Sequence, residues 1–212
     1  MKLLICVLIG YLVGMINPAY IVGKMRGVDV KHEGSCNAGA SNAIMLMGKL
    51  IGTCCGLFDI FKAYAVYTVC AKLFPDAAVA GMMAGVGCML GHIFPAWLKF
   101  NGGKGLACLG GTILAYDARL FLLMLALEIV FVLASGYVCL VAISASLAFP
   151  VIYALGGGHA VGIAGLAVVA VAMVLKHREN LQRIRKGTEV RISYLWNKDK
   201  ENERVNKNKG IQ

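Results

Sequence analysis

The sequence predicts an all-α integral membrane protein with seven transmembrane helices, its N-terminus outside and its C-terminus cytoplasmic. Three observations carry that reading. Hydrophobic residues make up 59% of the 212 positions and charged residues only 15%, which would give a soluble chain an implausibly apolar surface. The apolar residues gather into stretches close to the ~20 residues a helix needs to cross the hydrocarbon. Lysine and arginine concentrate in alternate connections, the asymmetry that marks the cytoplasmic side.

The first stretch runs from Leu3 to Val22, interrupted by Asn17 and Pro18. No cleavage site follows it, so it reads as a retained span rather than a signal peptide. The second runs from Leu50 to Phe74 and the third from Ala77 to Leu98. Beyond these, Leu106 to Tyr116 is a short span that reads as tilted or partly re-entrant. Leu120 to Ala134, Tyr137 to Leu155 and Val161 to Leu175 follow it. Lys24, Arg26, Lys31 and Lys49 flank the first connection, and Lys99 and Lys104 a later one on the same side. From Lys176 onward there are eleven Lys and Arg against five acids. The opposite connections hold little beyond Lys72 with Asp76 and Arg119 with Asp117. An odd number of crossings reconciles both ends. Residues 1–196 therefore read as one transmembrane domain and residues 197–212 as a mobile, basic cytoplasmic tail without an apolar face.

The net charge of +10 points to anionic lipid headgroups as partners and not to nucleic acid, because no recognition module or stacking platform accompanies it. Seven of the eight cysteines lie in apolar runs without metal-ligand spacing, and read as small buried hydrophobes. Glycine and alanine recur in AAVAGMMAGVG and GGGHAVGIAGLAVVA, where small side chains let helices approach closely.

Polar chemistry collects at the cytoplasmic ends of the spans. GSCNAGASN offers Gly34, Ser35, Asn37, Gly39 and Asn42, a loop able to turn at glycine and present converging donors to phosphoryl oxygens. It does not have the lysine spacing of a Walker A loop. NGGKG sets Lys104 among Gly102, Gly103 and Gly105, an ammonium in a turn that permits close approach of an anion. KHREN places His177, Arg178 and Asn180 just after the last span, where a stop signal explains the cations but not the asparagine. Asp59 and Lys62 read as an ion pair on adjacent turns inside the second span. His92 reads either as a satisfied structural histidine or as a group that contacts substrate oxygen. Glu128 stands alone in its span and is wet, paired across the bundle or substrate-facing. Nothing forms a serine triad, a metal set or a dinucleotide fingerprint. The pattern suggests a membrane enzyme that holds a phosphate-bearing substrate at the bilayer surface, orients it, and stabilises developing oxygen charge without a covalent intermediate.

In order and content these motifs resemble the PlsY family, the acyl-phosphate:glycerol-3-phosphate acyltransferases, over Asn17 to Glu189. GSCNAGASN is similar to GSGNxGATN. Gly91, His92, Phe94, Pro95, Phe100 and Gly102 to Gly105 are similar to GHxFPxFxxFxGGKG. His177, Arg178, Asn180, Arg183, Gly187 and Glu189 are similar to HRxNxxR followed by GxE, and Asp59 with Lys62 to DxxKG. The resemblance implies a seven-span enzyme of the bacterial plasma membrane, the cell inner membrane, with its site facing the cytoplasm. It would transfer a fatty acyl group from acyl phosphate to the 1-hydroxyl of glycerol 3-phosphate, giving lysophosphatidic acid and phosphate for phospholipid biosynthesis. His177, Asn180 and Lys104 are then the catalytic residues. Gly34, Ser35, Asn37, Gly39, Asn42, His92, Gly102, Gly103, Lys104 and Arg178 are the phosphate and substrate ligands. No metal or cofactor is implied, and a monomer satisfies each of these features. The chain departs from the pattern where Met45 and Gly136 replace arginines, with Lys49 or Arg178 as candidate substitutes. Those departures leave open another acyl acceptor or a binding role without catalysis.

Overall fold

The computed structural model describes residues 1–209, and among them every regular element is helical. Ten α-helices follow one another: α1 Lys2–Gly14, α2 Pro18–Met25, α3 Ala40–Met47, α4 Lys49–Leu73, α5 Ala80–Ile93, α6 Leu106–Tyr116, α7 Ala118–Ser135, α8 Val138–Leu155, α9 Ala160–Arg185 and α10 Lys198–Lys209. Six segments are long and apolar enough to cross a membrane, with α1 and α2 counted as one, and α6 is a shorter apolar helix.

The break in the first span has a local cause. Asn17 accepts from the Tyr20 N–H at 2.9 Å and Pro18 occupies the first helical position, so α2 starts with its own cap. The same side chain donates to the Ala38 carbonyl at 2.8 Å, tethering the first glycine-rich loop.

Two ends of the bundle can be told apart. At one, Lys2 meets Asp76, and Tyr116 packs against Tyr153. At the other lie the three motif loops. The six long apolar segments run in the bundle together with the shorter α6. At 11 residues α6 is roughly 17 Å long, less than the hydrocarbon thickness, but Cys108, Leu109, Gly111, Thr112 and Ile113 are buried in protein. Its ends therefore do not have to reach through lipid unaided.

Glycine brings the central helices together. An ideal Cβ at Gly10 would sit 2.0 Å from the Ala84 carbonyl oxygen, and one at Gly14 2.2 Å from that of Cys88. From the other side, a Cβ at Gly87 would sit 2.2 Å from the Val7 oxygen and one at Gly91 2.1 Å from that of Tyr11. Glycines four apart on both α1 and α5 thus place backbone against backbone, the arrangement that favours association where lipid offers no hydrophobic drive. By contrast, α7 buries only Met124 and exposes Leu122, Leu123, Leu127, Val130 and Leu133 to lipid.

The segment after the last span remains helical: α9 runs on to Arg185, because Lys, Arg, Glu, Leu and Gln all favour helix and Glu179 pairs with Arg183 one turn later. The expectation that the first motif is all loop is corrected, since its last three residues, Ala40 to Asn42, begin α3. Of the tail 197–212, residues 198–209 form α10, where Glu201 and Val205 are buried; residues 210–212 lie outside the described residues. Replacing Gly87 with valine is expected to push α1 from α5 at a cost of about 1–3 kcal/mol, seen as a lower melting temperature in detergent.

Candidate active site

The first loop is built around Asn42. Its side chain donates to the carbonyls of Val30 at 2.9 Å and Glu33 at 3.1 Å, and accepts from the Ser35 N–H at 2.8 Å. Gly34 makes room for it: at φ +63°, a Cβ there would lie 2.3 Å from Asn42 Oδ1. With Asn42 fully engaged in holding the loop, Ser35, Asn37 and Gly39 are the members that line the adjacent cavity.

The second loop is held by His92. The Gly103 N–H donates to the His92 carbonyl at 3.0 Å and the Gly102 N–H to that of Ile93 at 3.2 Å. A Cβ at Gly102 would sit 2.1 Å from the His92 carbonyl oxygen, and one at Gly103 2.0 Å from His92 Nε2, so both glycines are steric requirements. Beneath lies a buried charge cluster. Asp59 Oδ1 is 2.6 Å from Lys62 Nζ and 3.3 Å from His92 Nδ1. Lys62 also donates to the carbonyls of Gly14 at 3.1 Å and Ile16 at 2.6 Å, satisfying the end of α1. Asp59, His92 and Cys108 have the spacing of a metal-ligand group, but Lys62 already supplies a cation against the same carboxylate.

The third motif lies on α9 and meets the second loop. Lys104 donates to Asn180 Oδ1, Asn180 Nδ2 donates to Glu189 Oε1 at 2.5 Å, and Arg183 Nε donates to Glu189 Oε2 at 2.6 Å. Burial, together with the Arg183 charge, pulls the Lys104 ammonium down to a pKa of about 8. His177, one turn before, lies with Nδ1 2.7 Å from the Met173 carbonyl. A carbonyl can only accept, so Nδ1 carries the hydrogen and Nε2 of the neutral ring offers a lone pair. Lys176 reaches the Phe100 carbonyl at 3.4 Å and Asn101 Oδ1 at 3.3 Å, binding α9 to the loop a second time.

These groups border one cavity of about 470 Å³. Its polar end holds Ser35, Asn37, Gly39, His92, Lys104, His177, Asn180 and Glu189. The rest is apolar, walled by residues such as Leu109, Ile113, Phe121, Met124, Val141 and Ala145 of α6, α7 and α8. Glu128 lies in this wall and accepts from Ser144 at 3.0 Å across the α7–α8 seam. Gly34, Asn42, Gly102 and Gly103 shape the loops without lining the cavity. Arg178 does not line it either: one residue past His177 the helix has turned by about 100°, leaving its side chain exposed.

Sequence reasoning named Glu189 only as part of a motif and did not place it in the site. Its partners, nine and six residues earlier, become visible only once the chain folds back after α9. That return is held by α10. Glu201 accepts from the Arg191 N–H at 2.8 Å and from Ser193 Oγ at 3.1 Å, while Arg204 donates to the carbonyls of Gly187 and Glu189 at 2.6 Å each. Although burial opposes it, the Arg204 hydrogen bond and the other donors hold the Glu201 carboxyl below its ordinary pKa.

A membrane protein whose cavity joins a polar end carrying Lys104 to a long apolar wall has the form of an enzyme of lipid assembly. A family model described as glycerol-3-phosphate acyltransferase matches residues 4–187, and the chain belongs to that family. A relative named glycerol-3-phosphate acyltransferase from Rhizobium meliloti (strain 1021) is 36% identical over 191 residues, covering 89% of this chain and 92% of the relative. One of the same name from Bacillus subtilis (strain 168) is 31% identical over 196 residues, covering 92% of this chain and all of the relative. The crystal structure of PlsY (YgiH), an integral membrane glycerol 3-phosphate acyltransferase in its glycerol 3-phosphate form, superposes with a TM-score of 0.84 at 28% identity, covering 92% of this chain and 98% of that one. Its lysophosphatidic acid form gives a TM-score of 0.79 at the same 28% identity, with coverage of 90% and 95%.

The charge cluster under the second loop makes a direct prediction. Asp59→Ala, which leaves Lys62 buried without its carboxylate, is expected to destabilise by about 3–5 kcal/mol, whereas Asp59→Leu combined with Lys62→Met costs less. Melting temperatures in detergent decide between them.

Proposed function

We propose that the chain transfers a fatty acyl group from acyl phosphate to the 1-hydroxyl of glycerol 3-phosphate, releasing lysophosphatidic acid and phosphate. Family membership supports the acceptor. The observation that carries the rest is the continuity of the cavity, whose polar end opens directly into an apolar groove between α6, α7 and α8. A substrate with a phosphate at one end and an alkyl chain at the other fits that division without exposing either part to the wrong solvent.

The residues take roles by their chemistry. Ser35 and Asn37 donate to phosphoryl oxygens, and Lys104 neutralises charge on the phosphate. His177 Nε2 accepts from the neighbouring 2-hydroxyl and so aligns the 1-hydroxyl, whose own hydrogen faces the acyl phosphate, while Asn180, fixed by Glu189, holds the lysine in place. The hydroxyl oxygen bonds to the acyl carbon as the acyl C–O bond to phosphate breaks. The departing phosphate takes the hydroxyl proton, so no side-chain base is consumed and no acyl-enzyme forms. Gly34, Gly39, Asn42, Gly102 and Gly103 give the loops their shape, and His92 supports the second loop from below. In this reading the exposed Arg178 serves the lipid headgroups rather than the substrate.

The same reading sets the chain in a bacterial plasma membrane with seven crossings, the N-terminus outside and the site at the cytoplasmic face. Residues 1–196 form its catalytic domain. Cation placement at the motif end supports this orientation. Cysteine introduced beside Gly27 is expected to resist an impermeant maleimide in intact cells and to react after lysis; labelling from outside would reverse the topology.

Purified protein is expected to release phosphate only when acyl phosphate and glycerol 3-phosphate are both present, and to be inert with acyl-CoA. Turnover with acyl-CoA alone would overturn the donor assignment. Because the free Lys104 ammonium is lost as pH rises through about 8, kcat/KM for the acceptor should fall on that side. Lys104→Arg, which stays charged, should shift that falling limb to higher pH, and Lys104→Ala should abolish most activity.

A further inference from the structure

Arg191 lies just beyond residue 187, where the family match ends, and it lines the same cavity as Ser35, Asn37, Lys104 and His177. Its side chain is exposed, and three contacts hold the residue against the bundle. The backbone N–H donates to the Glu201 carboxylate of α10 at 2.8 Å. Nε donates to the Tyr137 hydroxyl at 3.3 Å, with the guanidinium carbon 5.6 Å from the centre of that ring. The aliphatic stem rests over Gly136, where an ideal Cβ would lie 3.7 Å from Arg191 Cγ and Cδ. Gly136 closes α7 at φ +81°, a conformation that suits glycine.

The guanidinium is held but not neutralised. Arg183 and Arg204 each have a carboxylate partner, whereas among the described residues no acid lies within ion-pair distance of Arg191. Its terminal nitrogens also have no hydrogen-bond acceptor among those residues. At the polar end of the cavity, Glu189 is matched by Arg183, which leaves Lys104, bonded to the neutral Asn180, as a cation without a carboxylate partner among the described residues. A phosphate dianion brings about two negative charges, and a single ammonium balances one of them.

We propose that Arg191 is the second cationic ligand of a phosphate group bound in this cavity, its terminal N–H groups taking the oxygens of a phosphate monoester or an acyl phosphate together with Lys104. The inference rests on the acyl-transfer reading for the identity of the substrates, and the binding itself does not. A guanidinium presents a planar fork of donors that matches phosphate oxygens, which an ammonium does not. The backbone bond to Glu201 holds residue 191 beside the cavity and Tyr137 contacts the guanidinium, so part of the side-chain freedom is already lost before binding. The segment after residue 187 thereby becomes part of the binding site, with α10 as its support.

The test uses the full chain in detergent, with Arg191→Ala and Arg191→Lys beside the wild type. KM is measured for glycerol 3-phosphate at saturating acyl phosphate, and for acyl phosphate at saturating glycerol 3-phosphate; Kd for glycerol 3-phosphate alone is measured by calorimetry. Arg191→Ala is expected to raise at least one KM by about tenfold or more, with kcat changed far less and the melting temperature unaltered, because Glu201 bonds the backbone of residue 191. The substrate whose KM moves identifies which phosphate is held. Arg191→Lys should recover part of the loss. Both KM values and Kd within about twofold of wild type would overturn the proposal while leaving the acyl-transfer reading intact. If the wild type shows no turnover, that reading fails on its own. Calorimetry with glycerol 3-phosphate and inorganic phosphate then decides Arg191 by itself: weaker binding in Arg191→Ala supports it, and unchanged or absent binding overturns it.

Discussion

The buried group of Asp59, Lys62 and His92 is the constraint on which the rest of the molecule depends. Lys62 reaches the carbonyls of Gly14 and Ile16 at the end of α1, Asp59 anchors that lysine from within α4, and His92 brings in α5. Three helices are thus locked in register at the level where the motif loops begin. Charges at this depth are costly in isolation, and here Lys62 and Asp59 lie 2.6 Å apart, so opposite charge offsets part of that cost, although Asp59 Oδ1 makes no well-aligned hydrogen bond among the described residues. Through the His92 carbonyl the same cluster carries Gly103 and hence the position of Lys104. Structural polarity inside the bundle and chemical polarity at its surface are therefore one connected network.

A second network holds the site from the opposite side. Lys104, Asn180, Glu189 and Arg183 form a chain of hydrogen bonds between the second loop and α9, and Arg204 of α10 fixes the backbone at Glu189. Lys104 is placed by elements far apart in sequence, which explains why it is so desolvated and why burial pulls its ammonium down to a pKa of about 8. A group prepared in this way gives up little solvation when a phosphate arrives, so its charge acts with less screening than an exposed lysine would allow.

Much of this was legible from the amino acids. The short span Leu106 to Tyr116 has the bounds of α6, because Gly105 and Asp117 punctuate it on both sides. Asp59 and Lys62 read correctly as an ion pair from their spacing of three. The extent of α9 was not legible, since a cationic stretch after an apolar one signals the membrane edge whether or not the helix continues. Asn42 and Asn37 look alike as loop amides, yet the first is consumed by three backbone partners and the second faces the cavity. Arg178 and His177 are neighbours in sequence and lie on different faces of one helix. Glu201 and Arg204 looked like solvated tail residues because their partners, the backbone groups of residues 187–191, carry no side-chain signal at all.

The sparse packing of α7 has a consequence for how such a molecule is supplied and emptied. Met124 is its only buried residue, while Leu125 and Glu128 border the apolar groove, so one flank of that groove is a single helix backed by hydrocarbon. Chains of the surrounding leaflet lie one helix diameter from the reacting end. A single-tailed ester held there is separated from the bilayer by that helix alone, so the packing of α7 against the host leaflet sets the outer wall of the groove.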